Sequence, residues 1–377
     1  MFIVTNREVD DDNKRQGLER FGKKLNPEGA LELRMAEVTK KKSGWEVNIL
    51  PDVLSQKLKK EVGISTTKTV YASQYISRKI LSRVNPSRAR KLKIPVKKSS
   101  GDGRNLLLFV HGFNNDMEAV VERASTLEKL YDVEVLVFSW PADGGGLAGV
   151  VSYKSDKRDA KASVGALDRV LEYVQKMLAS FNQDVVDLVT IEAGIKYPND
   201  PEKQHRYIAT VTDKSCPFTV NAMFHSMGNY LYKHLLLSTS SEGTGMIFDN
   251  IVLVAADANN HEHALWVDRI RCRNRVYVTI NEDDRALSVS RMKIGDAQRA
   301  RLGHYLYRLD SEQGVYINFT DVPGVKDSHA YFEGSTVKSN LRVRRFFKDA
   351  FNGKRAESVS TLKYDAAINM YRFSKAR

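Results

Sequence analysis

Residues 222–231 read AMFHSMGNYL. An apolar run ends on His225-Ser226, meets Gly228 and resumes at helical spacing. Either Ser226 stands on a tight turn between a strand and a helix, or it is an ordinary serine beside an ordinary glycine. A nucleophilic serine needs a base to take its proton, a third group to orient that base, and backbone N–H donors for the oxyanion. A nucleophile elbow of the G-x-S-x-G kind lifts the serine off the end of a buried strand, and small residues at −2 and +2 let the backbones come close. Here +2 is Gly228, but −2 is Phe224. The pentapeptide alone decides little, so the reading rests on what flanks it.

Outward from the elbow the pattern is regular. Asn105–Val110, NLLLFV, is a continuous apolar run, as expected of a strand buried on both faces. Met117, Val120, Val121, Ala124, Leu127 and Leu130 follow at helical spacing. Residues 133–138 form a second buried strand. Leu167, Val170, Leu171, Val174 and Leu178 mark another amphipathic helix. Strands follow at 218–224, 248–255, 276–280 and 315–320. Strands alternating with helices predict parallel βαβ units, an α/β fold with a doubly wound, mostly parallel sheet. Functional groups of such sheets collect in the loops after the strand carboxyl ends. Residues 182–215 precede a strand, so they are expected on the opposite edge, as a hairpin of VVDLVTIEAGIKY and HRYIATVTD around PNDPEKQ.

The loops on the active edge carry the chemistry. His111-Gly112-Phe113 follows the first strong strand, where a second oxyanion donor belongs, and the amides of Phe113 and Met227 form the expected pair. In the order serine, acid, base, the acid is expected in Asn-Glu-Asp-Asp-Arg after residue 280. Asp284 is the choice because it sits latest in that loop, just before the next helix. Asp283 is its rival and Asp257 a third option, and each would also serve as a helix cap. His329, in Asp-Ser-His-Ala-Tyr-Phe after the last strand, is placed to be the base. His225 is a poor base for its own neighbour, because adjacent side chains at a strand end point to opposite faces.

LLLFVHGFNN, VLVFSWPADG, FHSMGNYL, INEDDRALSVSR and DSHAYF, in that order, resemble a bacterial α/β-hydrolase family of unknown function, over about residues 101–336. The resemblance implies an α/β-hydrolase fold of the esterase or lipase kind. It implies Ser226 as nucleophile, Asp284 as acid and His329 as base. It also implies Trp140-Pro141 at the pocket wall and Asn114 beside the oxyanion turn, in a pocket that His111, Gly112 and His225 help to line. Phe224 departs from the family, where Ala or Gly is usual. The expected activity is cleavage of a carboxylic ester or related acyl bond, with no cofactor and no metal.

Composition sets the frame. The chain has 377 residues, 42% hydrophobic and 28% charged, in the range of a soluble globular protein. No apolar run approaches the roughly 18 residues that span a bilayer. MFIVTNREVDDD turns acidic too soon for a signal peptide. Cys216 and Cys272 form no framework, so a cytoplasmic location with reduced thiols is expected. The net charge of +13 is uneven. Residues 1–100 hold 23 Lys/Arg against 11 Asp/Glu and residues 337–377 hold 11 against 3, while residues 101–336 hold 25 against 32. The basic, Gly/Ser-punctuated stretch 88–103 reads as a linker. The chain therefore divides into a basic N-terminal extension of short strands and helices (1–100), a hydrolase domain (101–336) and a basic helical C-terminal segment (337–377). Basic flanks suit an anionic membrane surface or nucleic acid, and a catalytically impaired binding module on this scaffold is the competing reading. His261-Glu262-His263 lacks a partner cluster for a metal. Gly144-Gly145-Gly146 lacks the Gly-Lys-Ser/Thr of a phosphate loop. Arg342-Val-Arg-Arg-Phe-Phe reads as one face of a helix packed on the core.

Overall fold

The computed structural model describes residues 1–377 apart from 13, 98–102, 143–148, 214–217, 239–245, 292–299, 359–360 and 375–377. The glycine run 144–146 and Cys216 lie outside the described residues. The chain divides into two compact units. The larger holds Met1–Leu50, Asn105–Val170 and Val220–Arg377; the smaller holds Pro51–Arg104 and Leu171–Thr219.

The larger unit is built on β1 (Phe2–Thr5), β2 (Arg7–Val9), β3 (Phe21–Leu25), β4 (Arg34–Lys41), β5 (Gly44–Leu50), β6 (Asn105–Val110), β7 (Val133–Ser139), β8 (Val220–His225), β9 (Phe248–Val254), β10 (Cys272–Ile280), β11 (Gly314–Asn318), β12 (Leu362–Asp365) and β13 (Met370–Phe373). Eleven of these form one sheet in the order β12-β13-β11-β10-β9-β8-β6-β7-β1-β4-β5, and β2 and β3 pair separately. The eight strands from β13 to β1 run parallel, and β12, β4 and β5 add antiparallel edges. Burial follows position. Every residue of β7 and β8 is buried, whereas the edge strand β5 alternates exposed and half-buried; central parallel strands are covered on both faces and edge strands on one. The strand order reverses between β6 and β8, and at such a switch point the loops after two neighbouring strands diverge and open a crevice.

The helices are α1 (Gln56–Glu61), α2 (Ala72–Val84), α3 (Pro86–Lys91), α4 (Met117–Tyr131), α5 (Gly149–Ala162), α6 (Val164–Lys196), α7 (Pro201–Asp213), α8 (Met227–Leu237), α9 (Ala264–Val267), α10 (Arg285–Arg291), α11 (Gly334–Ser339) and α12 (Leu341–Phe351). On one face of the sheet, Val120, Val121, Ala124 and Leu127 of α4 and Val343, Phe346, Phe347 and Ala350 of α12 join Phe109, Val137, Met223 and Tyr277 in a continuous core. Arg344, Arg345 and Lys348 of α12 stay exposed, so the basic-aromatic motif does pack its aromatic face inward.

Three expectations change. Residues 1–50 contribute strands to the main sheet: Phe2–Thr5 pair in register with Leu136–Ser139 of β7. The C-terminal segment is α-helical to Phe351, makes a 3-10 turn at Ala356–Ser358 and then adds β12 and β13 at the far edge. Among the described residues the hairpin expected over 182–215 is absent; 182–196 belong to α6 and 201–213 to α7. Val185, Val189 and Ala193 are buried while Ile191 and Ile195 are exposed, which is a four-residue repeat and not a two-residue one. The residues are β-branched, but one buried helical stripe overrides that local preference.

The smaller unit buries Leu54, Val62, Tyr75, Ile76, Ile80 and Val84 from its first segment and Val174, Met177, Phe181, Val185 and Val189 from its second. Hydrogen bonds from Tyr173 Oη to the Ser73 carbonyl (3.0 Å) and from Arg88 to the Phe181 carbonyl (3.2 Å) tie its segments. The stretch 88–103 begins as helix α3, so the linker reading fails for its first four residues.

Candidate active site

Ser226 sits between β8 and α8 with φ 54° and ψ −120°, a region costing roughly 1–3 kcal/mol for a residue with a Cβ. The surroundings hold it there. Its N–H donates to the Val254 carbonyl (3.0 Å), and its carbonyl accepts from the N–H groups of Asp257 (3.1 Å) and Asn229 (3.0 Å). The fully buried Asn229 amide donates to the carbonyls of Phe224 (2.8 Å), Ser226 and Val254 (both 3.2 Å). Asn229 is a staple of the elbow that spacing arguments do not reveal. Gly228 is required by close approach, since a Cβ there would lie 2.8 Å from the carbonyl oxygens of His111 and Val110. Phe224 is accommodated because its ring stacks on Tyr232 of α8, centroids 3.9 Å apart and nearly parallel. The bulk at −2 therefore fills the space between strand and helix and does not push the turn open.

The loop after β6 approaches Ser226 from the neighbouring strand. A Cβ on Gly112 would lie 2.6 Å from the Ser226 Cβ. Asn114 takes a left-handed conformation, φ 57°, and Asn115 donates to the carbonyls of Gly112 (3.1 Å) and Phe113 (2.6 Å). Two arginines brace this turn. Buried Arg7 donates to the Asn115 carbonyl (2.9 Å) and to Ser139 Oγ (2.9 Å). Arg123 donates to Asn115 Oδ1 (3.1 Å) and pairs with Glu333 (2.8 Å). Met227 opens α8, so its N–H is one of the first-turn donors that have no acceptor within the helix.

Asp284 is fully buried at the N-terminus of α10. One carboxylate oxygen accepts from the Leu287 N–H (3.0 Å), and the other accepts from His329 Nδ1 at 2.7 Å. Its rivals lie elsewhere: Asp283 is exposed, and Asp257 is occupied by Arg301 (3.0 Å), Ser290 (2.8 Å) and Tyr153 (3.0 Å). The His329 loop is tied down by Asn281, which donates to the carbonyls of Lys326 (2.9 Å) and Ser328 (3.3 Å), and by the Arg285 N–H on the Asp327 carbonyl (3.2 Å). A third tie comes from His225, whose Nε2 lies 3.1 Å from the His329 carbonyl. Because a carbonyl only accepts, Nε2 carries the proton.

A cavity of about 580 Å³ is lined by residues that include Phe113, Asn114, Tyr153, His225, Ser226, Asp257, Ser290 and His329. Its apolar wall includes Leu287 and Val289. The expected pocket residues divide. Asn114 and His225 line it. His111, Gly112 and Trp140 do not; His111 and Trp140 are fully buried and stack 5.2 Å apart behind the turn. Burial, and next the Arg7 guanidinium, push His111 down to about 3. His225 is likewise pushed well below the usual histidine range, first by burial and then by His329. Both therefore stay neutral near pH 7. His263 of the His-Glu-His stretch is buried, with Nδ1 2.7 Å from the Asn260 carbonyl. Among the described residues no group of three His, Cys, Asp or Glu is gathered to hold a metal ion.

The family described as an alpha/beta hydrolase of unknown function (DUF900) matches residues 86–186 and 200–343. The chain belongs to this family. That membership covers the elbow, the turn after β6, the Asp284 loop and His329 alike. Among curated proteins and among solved structures no match was found. Arg7, which braces the turn of this alpha/beta hydrolase from β2, lies outside the matched residues, and nothing in its sequence neighbourhood signals that role.

Proposed function

We propose that this alpha/beta hydrolase is a serine hydrolase that cleaves a carboxylic ester or related acyl bond through an acyl-enzyme. The observation that carries the reading is a strained serine lining the same cavity as a histidine whose Nδ1 is hydrogen-bonded to a buried carboxylate. In this reading Ser226 Oγ attacks the carbonyl carbon as His329 Nε2 takes the hydroxyl proton. Asp284 holds the ring in the tautomer that leaves Nε2 free to accept. The amides of Phe113 and Met227 stabilise the oxyanion. The bond to the leaving alcohol then breaks as His329 returns the proton to it. Water repeats the sequence on the acyl-enzyme and releases the acid. A cavity of about 580 Å³ is within the range of small-ligand sites and suits a small-molecule ester or a short lipid acyl chain.

A fluorophosphonate probe tests the reading. Wild type is expected to label at Ser226, Ser226→Ala not at all, and Asp284→Asn about 10⁴-fold more slowly. A wild type that does not label, or a Ser226→Ala that does, sinks it.

A further inference from the structure

The charge of the chain is more localised than its halves suggest. Residues 51–104 hold 14 Lys/Arg against 3 Asp/Glu, while residues 1–50 hold 10 against 9. Nearly the whole excess of the N-terminal hundred residues therefore falls on the first segment of the smaller unit. Lys57, Lys60, Lys68, Arg90, Lys93 and Lys97 are exposed, and the side chains of these six make no hydrogen bond or ion pair among the described residues. The fold gathers several of them. Lys57 and Lys60 share one face of α1, three residues apart. Buried Lys59 donates to the Lys68 carbonyl (2.8 Å) and so fixes the loop that presents Lys68. A Cβ on Gly63 would touch the Lys93 carbonyl at 2.3 Å, so the ends of α1 and α3 lie side by side.

Two exposed apolar residues lie close in the chain to these lysines, Val53 four residues before Lys57 and Tyr71 three after Lys68. Val53 and Tyr71 pair across an isolated antiparallel bridge and are 53% and 55% exposed. Their backbone is pinned by the Leu54 N–H on the Val70 carbonyl (2.8 Å) and the Ala72 N–H on the Asp52 carbonyl (3.1 Å). In the same unit, Ile191 and Ile195 stand one turn apart on α6, 62% and 77% exposed. Phosphates of a nucleic acid would satisfy the cations but offer nothing to valine and isoleucine. The headgroup layer of an anionic bilayer takes both, with lysines on the lipid phosphates and apolar tips below them. We infer that the smaller unit docks on an anionic lipid surface through Lys57, Lys60 and Lys68 around Val53 and Tyr71. The contact is peripheral, since no described helix is long and apolar enough to cross a membrane. It is independent of the Ser226 chemistry.

The full chain is sedimented with phosphatidylcholine vesicles, with vesicles holding 30% phosphatidylglycerol, and with a 30-bp DNA duplex as competitor, in low and high salt. Binding is expected to anionic vesicles only, and to weaken with salt. Each lysine is worth about fivefold, so Lys57→Glu/Lys60→Glu/Lys68→Glu lowers vesicle affinity at least about 100-fold. Val53→Ser/Tyr71→Ser lowers it about tenfold and leaves any duplex binding unchanged. Ser226→Ala binds as wild type does, which separates docking from catalysis. Val53, Lys57, Lys60, Lys68 and Tyr71 are all exposed, and matching circular dichroism checks the fold. No sedimentation with anionic vesicles at low salt overturns the proposal. So does vesicle binding that is indifferent to the Val53/Tyr71 variant while the duplex competes fully.

Discussion

His225 shows what one side chain can do beside the proposed nucleophile without touching the reacting atoms. Its ring lies on the cavity wall, 4.8 Å from the His329 ring and 5.1 Å from Phe332. Nε2–H is committed to the His329 carbonyl, and Nδ1 has no partner among the described residues. Adjacent strand residues do point apart, as the sequence argument holds, yet this sends His225 toward the His329 loop that lies across the strand end. If the proposed triad operates, His225→Phe keeps the packing and removes the donor. One hydrogen bond is worth about 1 kcal/mol, so kcat on an ester should fall about fivefold to tenfold with KM little changed. His225→Gln, which retains a donor, should recover part of the loss. Equal kcat in wild type and His225→Phe would remove the positioning role.

At the scale of elements, the contact between the loop after β6 and the start of α8 controls the elbow. The Gly228 position faces two backbone oxygens that belong to the end of β6. A methyl group there must move either the strand end or the helix start. Overpacking of this kind costs about 1–3 kcal/mol, so Gly228→Ala should lower stability to urea by that amount and slow fluorophosphonate labelling of Ser226. Unchanged stability together with an unchanged labelling rate would show that the turn has room. Sequence made this element pair legible because buried parallel strands and a Ser-x-Gly turn leave local marks. It also placed Asp284 and His329 in loops after the strands that the structure shows as β10 and β11. It did not show that β1 completes the sheet beside β7, because pairing between distant strands leaves no periodic trace. It misread α7 and the second half of α6, from residue 182 onward, because Val, Ile and Thr are frequent there. A cap was available: Asp200 Oδ1 accepts the Lys203 N–H at 3.0 Å, and Pro201 opens the helix, which is a helix-start signature. Arg7 and Asn281 act through long-range backbone contacts that no local pattern encodes.

The whole molecule inherits a pH dependence from its buried histidines. His111 is held neutral by complete burial and by the adjacent Arg7, with Nδ1 2.9 Å from the Gly112 carbonyl and Nε2 3.2 Å from Ser139 Oγ. Ser139 Oγ already accepts from Arg7, so a protonated Nε2 would find no better acceptor there. His225 and His263 are lowered chiefly by burial, and His234 is pushed down to about 4 by burial and then by Lys161. Each of these groups binds a proton more readily in the unfolded chain. Their share of stability is therefore complete above about pH 6.5 and is lost as pH falls toward the folded values. For His111 the loss proceeds at about 1.4 kcal/mol per pH unit from roughly pH 6.5 down to about 3. Between pH 7 and 5 most ordinary carboxylates stay ionised, so histidines dominate the slope. Urea unfolding should accordingly show stability falling steadily over that interval. His111→Asn offers a non-titrating amide for the Gly112 carbonyl. It should be less stable than wild type at pH 7, and the difference should narrow by about 2 kcal/mol at pH 5. Parallel stability curves for the two proteins would mean that His111 takes up its proton in the folded state as easily as in the unfolded one.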